Sequence, residues 1–147
     1  MITLLSIVVA LSAVWLAVSD FKSRLVPLTG LILYFISAAA LGIVHFGWYV
    51  FVVQATCNIL LAGLIFLLLK IYFYVRYRVS SIIDEAIGKG DVLYLTISAF
   101  LFNQTTYISF CIASCLVGLL YHIFDKRSEI PLITASFPSL IIFLVSS

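Results

Sequence analysis

Six carboxylates, Asp20, Asp84, Glu85, Asp91, Asp125 and Glu129, are the side chains of this 147-residue chain best suited to moving protons. The other reactive groups lack partners. No serine stands with a histidine and an acid as a hydrolytic triad, and His122 with Cys115 makes no convincing nucleophile and base. Cys57, Cys111 and Cys115 all lie in apolar runs without the C-x-x-C spacing of a zinc site or redox couple, so they read as small packing residues. Asp84, Glu85, Asp125 and Glu129 fall in polar, charged stretches and read as solvated flanking charges. Asp20 and Asp91 remain. Two carboxylates held a few ångströms apart cannot both ionise and end up sharing a proton. One then acts as base on a water and the other as acid to a carbonyl oxygen, and the pH dependence belongs to the pair. The two stand 71 positions apart, so only tertiary structure can bring them together.

Their neighbourhoods differ. Asp20 closes an apolar run in Ser19-Asp20-Phe21-Lys22-Ser23-Arg24. The negative pole of the helix dipole disfavours a carboxylate there, although Lys22 and Arg24 can neutralise it. The plain alternative is a solvated loop acid. Asp91 follows Gly88-Lys89-Gly90 and opens an apolar helix, so its plain alternative is an N-cap. The two glycines argue for more, since they permit unusual dihedrals and the close approach of another backbone. Walker spacing is absent, which removes the case for phosphate.

The elements that must carry these acids are set by composition. Apolar residues make up 65% of the chain and charged ones 10%, with a mean hydropathy of +1.28. That places the protein in a bilayer. The apolar runs are Ile2 to Val18, Leu28 to His45 with a turn at Phe46-Gly47, Trp48 to Leu69, Val92 to Phe102, Tyr107 to Phe124, and Pro131 to Val145. At ~20 residues per crossing, six helices leave no room for a second, soluble domain. The expectation is therefore an all-α, polytopic membrane protein of six transmembrane helices, forming a single domain over residues 1–147. Its first helix is expected to be retained, as it lacks the basic n-region and cleavage site of a signal peptide. The fourth run is too short to cross alone. It must take in part of Ile82 to Asp91 or continue through Asn103-Gln104-Thr105-Thr106. A nucleotide-binding fold, a zinc ribbon or an ectodomain does not fit, and a net charge of +2 is too small for nucleic acid.

Orientation follows from the basic residues, which stay cytoplasmic in short loops. With six helices, Lys22, Arg24, Lys70, Arg76, Arg78, Lys89, Lys126 and Arg127 all fall in the loops after the first, third and fifth. None falls in the others. Both termini are thus expected outside, and all six carboxylates at the cytoplasmic edge. His45 and His122 fall at opposite edges and cannot pair.

Asp20-Phe21-Lys22-Ser23-Arg24-Leu25-Val26-Pro27 resembles the D-x-x-x-x-x-[IV]-P segment of the type IV prepilin peptidases, a family of membrane aspartyl proteases. Gly88-Lys89-Gly90-Asp91 resembles their G-x-G-D segment, and Glu129-Ile130-Pro131 the start of their final I-P-F segment. The likeness runs along the whole chain in order. It implies that Asp20 and Asp91 are the catalytic pair, with Gly88, Gly90 and Pro27 shaping the loops around them. It implies no metal, no cofactor and no covalent intermediate. The implied substrate is a prepilin-like protein whose short, basic leader is cut at the cytoplasmic face of the cell membrane, just before a hydrophobic segment.

The chain departs from the family in places. It lacks the paired C-x-x-C motifs of the longer, methylating members and so resembles the short form. Leu93 stands where many members have lysine, Leu28 follows Pro27 where asparagine is common, and the last segment reads Pro131-Leu132-Ile133. These differences bear on substrate preference more than on the acid pair. An intramembrane-cutting G-x-G-D protease is disfavoured because the tyrosine-aspartate partner motif is missing. The alternative from another class is a non-proteolytic transporter, or an assembly factor for pili or secretion, using the same acids for a cation or protons. That would need polar residues at mid-bilayer depth. Gln54 and Asn58 are the main ones, four apart on one helix face, and they are expected to bond a neighbouring helix.

Overall fold

The computed structural model describes residues 1–23, 26–77, 89–124 and 132–146, and these form helices joined by short turns. In chain order they are α1 (Ile2–Ser23), α2 (Leu28–Phe46), α3 (Trp48–Tyr77), α4 (Lys89–Ser98), α5 (Gln104–Phe124) and α6 (Leu132–Ser146). Three stretches, Ile2–Lys22, Leu28–Phe46 and Trp48–Leu68, are long and apolar enough to cross a membrane. The protein is all-helical, as expected, and its apolar helices mark it as a membrane protein.

Packing follows from small and large apolar residues at helical spacing. Val9, Ala13, Leu16 and Ala17 form the buried stripe of α1, and Tyr34, Ala38 and Leu41 that of α2. The opposite faces keep large apolar side chains exposed, among them Leu4, Ile7 and Leu11 on α1 and Leu60, Leu64 and Leu67 on α3. So much apolar surface would drive aggregation in water, whereas in lipid it is the stable outer face. Helix α1 lies between α2 and α6, α6 also packs on α5, and α4 is held among α2, α3 and α6. Buried serines on these faces satisfy themselves: Ser12, Ser37, Ser114 and Ser136 each donate to a carbonyl one turn back in their own helix.

The boundaries refine the sequence reading. Helix α1 continues past Val18 to Ser23, with Lys22 in its last turn where a cation suits the dipole, so Asp20 is a helical residue. Helix α3 runs on through Lys70 to Tyr77, there being no glycine or proline between Gly63 and Gly88 to stop it. The turn at Gly47 is where hydropathy placed it, with φ 76. Helix α4 ends at Ser98, short of Phe102, and it does not continue through Asn103 to Thr106. Those residues start the next helix. Asn103 accepts from the Thr106 amide at 2.8 Å, the bond of an asparagine N-cap. Residues 82–88, the other proposed extension, lie outside the described residues.

Candidate active site

Asp20 stands in the last turn of α1 and is 6% exposed. A carboxylate there opposes its own helix dipole, and the compensation comes from another helix. Thr134, in the first turn of α6, brings its backbone N–H to 3.4 Å and its hydroxyl to 3.3 Å from Asp20 Oδ2. The amides opening a helix are the natural place for an anion, so the start of α6 offsets the end of α1. The Thr134 hydroxyl also reaches the Ala17 carbonyl at 3.0 Å. Its single proton serves two acceptors. When the proton points to Ala17, Oγ1 faces Oδ2 as an acceptor, so the site can meet Asp20 either as carboxylate or as carboxylic acid.

Asp91 lies in the first turn of α4 and is half-buried. The residue before it explains how the turn fits. A Cβ on Gly90 would stand 2.3 Å from Cγ2 of Val26 and 2.9 Å from its Cβ, which no real side chain tolerates. Glycine fits there because the Val26 side chain packs directly on its backbone. Val26 directly precedes Pro27, which occupies the N-cap position of α2 in extended backbone with φ −67 and ψ 127. The segment leaving Asp20 and the turn carrying Asp91 are thus in van der Waals contact through Val26 and Gly90. A further link runs through α6, which packs against both α1 and α4.

Beside Asp20 a groove of about 600 Å³ opens between α1 and α6, lined by Ala17, Val18, Phe21, Lys22, Thr134 and Phe137. Thr134 faces the groove and Asp20 together. Among the described residues no three His, Cys, Asp or Glu side chains gather as a metal site. Gly88, Asp84, Glu85, Asp125, Glu129, Ile130 and Pro131 lie outside the described residues. Sequence reasoning placed Gly90 and Pro27 at the site and missed Thr134. The available signal was a hydroxyl in the first turn after Pro131, where an amide and a side chain can serve one anion.

The sequence profile of the type IV leader peptidase family matches residues 7–123, a span holding Asp20, Pro27, Gly88, Gly90 and Asp91. No curated protein and no solved structure matches the chain. With the profile covering most of its length, the chain belongs to the type IV leader peptidase family.

Proposed function

We propose that the protein is a membrane aspartyl endopeptidase that removes basic leaders from prepilin-like substrates, with Asp20 and Asp91 as its two acids. The observation that carries this reading is the Val26–Gly90 contact, which joins the two acid-bearing segments and leaves no room for a side chain next to Asp91. In the reaction, one carboxylate takes a proton from water as its oxygen attacks the scissile carbonyl carbon. The other, protonated, gives its proton to the carbonyl oxygen, leaving a neutral gem-diol. Collapse returns a hydroxyl proton to one carboxylate, while the amide nitrogen takes a proton from the other and the C–N bond breaks. Each acid alternates between charged and neutral forms, and Thr134 beside Asp20 can answer both.

The same reading sets the protein in the cell membrane with six crossings, both termini outside and the acids at the cytoplasmic edge. The eight-to-none division of Lys and Arg between alternate loops supports that orientation. Helix α4, with ten residues, is about 15 Å long, so the fourth crossing includes the turn after it. Of the two mid-span polar residues that a transporter would draw on, Asn58 commits its amide nitrogen to the backbone carbonyls of Ala99 and Phe102.

The test is cleavage of a co-expressed leader-bearing substrate by wild type, Asp20→Asn and Asp91→Asn, read as a leader-sized shift on a gel. Both variants are expected to insert normally and to lose cleavage. Cleavage surviving either substitution would overturn the aspartyl mechanism.

A further inference from the structure

Helix α4 carries Asp91 at one end, and its other end is finished by residues from three different helices. Past Leu95 the chain tightens. The amides of Ala99, Phe100 and Leu101 donate to the carbonyls of Thr96, Ile97 and Ser98 at 3.2, 3.1 and 3.1 Å, each reaching back three residues where an α-helix reaches back four. The Leu95 carbonyl thereby loses the amide that a continuing helix would have brought it. Tyr107 of α5 supplies the replacement, its hydroxyl donating to Leu95 O at 3.0 Å. The next open carbonyls, of Ala99 and Phe102, both accept from Nδ2 of Asn58 on α3, at 3.0 and 2.8 Å. Asn58 is fully buried midway along an apolar span, where no water is at hand to do the same work.

Tyr34 of α2 makes the third hold. Its ring stacks on Tyr94 with centroids 5.1 Å apart and planes 13° from parallel, and its hydroxyl lies 2.9 Å from Ser98 Oγ. Since the Ser98 hydroxyl already donates to the Tyr94 carbonyl, Tyr34 is the donor in that pair. Directional bonds from α2 and α5 therefore reach the last turn of α4, and those from Asn58 on α3 hold Ala99 and Phe102 just after it. At the other end, Gly90 rests on the apolar side chain of Val26. A helix of ten residues is a stiff rod, so its depth and rotation at the Asp91 end follow from the end that is bonded.

We propose that Asn58, together with Tyr34 and Tyr107, is a positioning residue for Asp91: the three hold the C-terminal turn of α4 and the residues that follow it, and so set where the carboxyl stands at the N-terminal turn. This rests on the reading of Asp91 as one of the two catalytic acids. Asn58 touches no reacting atom. Its loss acts on the rate of the chemical step and leaves substrate binding alone, because misplacing a reacting group by about 1 Å costs roughly a hundred-fold in rate.

The experiment compares wild type, Asn58→Leu, Tyr107→Phe and Gln54→Leu in lipid nanodiscs. Both kcat and KM are measured on a leader-bearing substrate, and amide hydrogen exchange is measured across residues 89–98. Gln54 is the control, one turn from Asn58 on the same face, with an Oε1 that accepts no hydrogen bond among the described residues. Asn58→Leu is expected to lower kcat roughly a hundred-fold at unchanged KM, and Tyr107→Phe several-fold, each with faster exchange through to the Leu93 amide, the first whose acceptor lies within α4. Gln54→Leu is expected to match wild type. Wild-type kcat in Asn58→Leu, an equal loss in Gln54→Leu, or unchanged exchange would overturn the proposal. If Asn58→Leu fails to insert, Tyr107→Phe, which deletes one hydroxyl, decides by the same two readouts. If the wild type cleaves no leader-bearing substrate, the peptidase reading has failed and exchange alone judges the anchor. Faster exchange at Leu93 then upholds the hold of Asn58 on that end of the helix, and unchanged exchange overturns it.

Discussion

Replacing Gly90 with alanine puts one methyl group where the Asp20 and Asp91 segments touch. The added Cβ would stand 2.3 Å from Val26 Cγ2, against the 3.4 Å at which ordinary contact begins. Relief therefore needs a displacement of about 1 Å, shared between the turn at Asp91 and the strand of chain before Pro27. Overpacking of this kind costs about 1–3 kcal/mol, and a reacting group moved by about 1 Å loses roughly a hundred-fold in rate, equivalent to about 2.7 kcal/mol of activation free energy. Gly90→Ala is thus expected to insert and fold, and to cleave a leader-bearing substrate with kcat down roughly a hundred-fold. The contact also predicts its own suppressor. Val26→Ala removes Cγ2 and leaves only the Cβ contact of 2.9 Å, and Val26→Gly removes both. Gly90→Ala combined with Val26→Ala should recover part of the lost kcat, and with Val26→Gly more. The assay is a double-mutant cycle on kcat, with unfolding midpoints measured alongside. Wild-type kcat in Gly90→Ala would refute the reasoning, as would purely additive losses in the double variants, since additivity would mean that the two residues do not meet.

Three further outcomes are expected. Thr134→Val keeps the backbone amide beside Asp20 and deletes the hydroxyl that reaches both Asp20 and the Ala17 carbonyl, so kcat should fall about ten-fold, in line with a lost hydrogen bond to a charged group, and stability should drop by about 1–3 kcal/mol. An unaltered kcat would remove Thr134 from the site. Gly42→Ala would set a Cβ 2.4 Å from the Phe100 carbonyl oxygen and 2.8 Å from the Phe51 ring, so stability should drop by about 1–3 kcal/mol. Gly63→Ala, with nothing within 4 Å, should be neutral or stabilising by up to about 1 kcal/mol. Chemical unfolding in mixed micelles separates the two, and equal effects would refute the packing at Gly42.

Hydropathy placed most of the helices in the chain because the bilayer interior demands long apolar runs whatever their neighbours. It placed the starts of α2 and α3 and the turn between them. It failed at ends that are decided by polar contacts. Nothing local stops α3 at Leu69, because lysine and arginine extend a helix about as readily as leucine does and the aromatic residues at only a small cost. Nothing local in Val92 to Phe102 announces a stop at Ser98 either. That end exists because Asn58, remote in sequence, can satisfy the carbonyls that the stop leaves open. Asn58 was legible as a residue that bonds a neighbouring helix. Which helix, and which atoms, was not.

For the site, residue type and spacing by themselves determined that carboxylates were the available chemistry, that Asp20 and Asp91 were the two in special settings, and that glycine beside Asp91 implied a close approach. Those conclusions need only local physics: a helix dipole, a missing Cβ and the cost of charge near lipid. Tertiary structure decided what meets what. It set Gly90 on Val26, and it brought the opening turn of α6 to Asp20 across more than a hundred residues of chain. Thr134 is unremarkable in its own surroundings. It matters because the positive end of its helix lies where α1 ends badly for a carboxylate, and such a compensation between two dipoles is a property of how helices are placed and is written in neither helix alone.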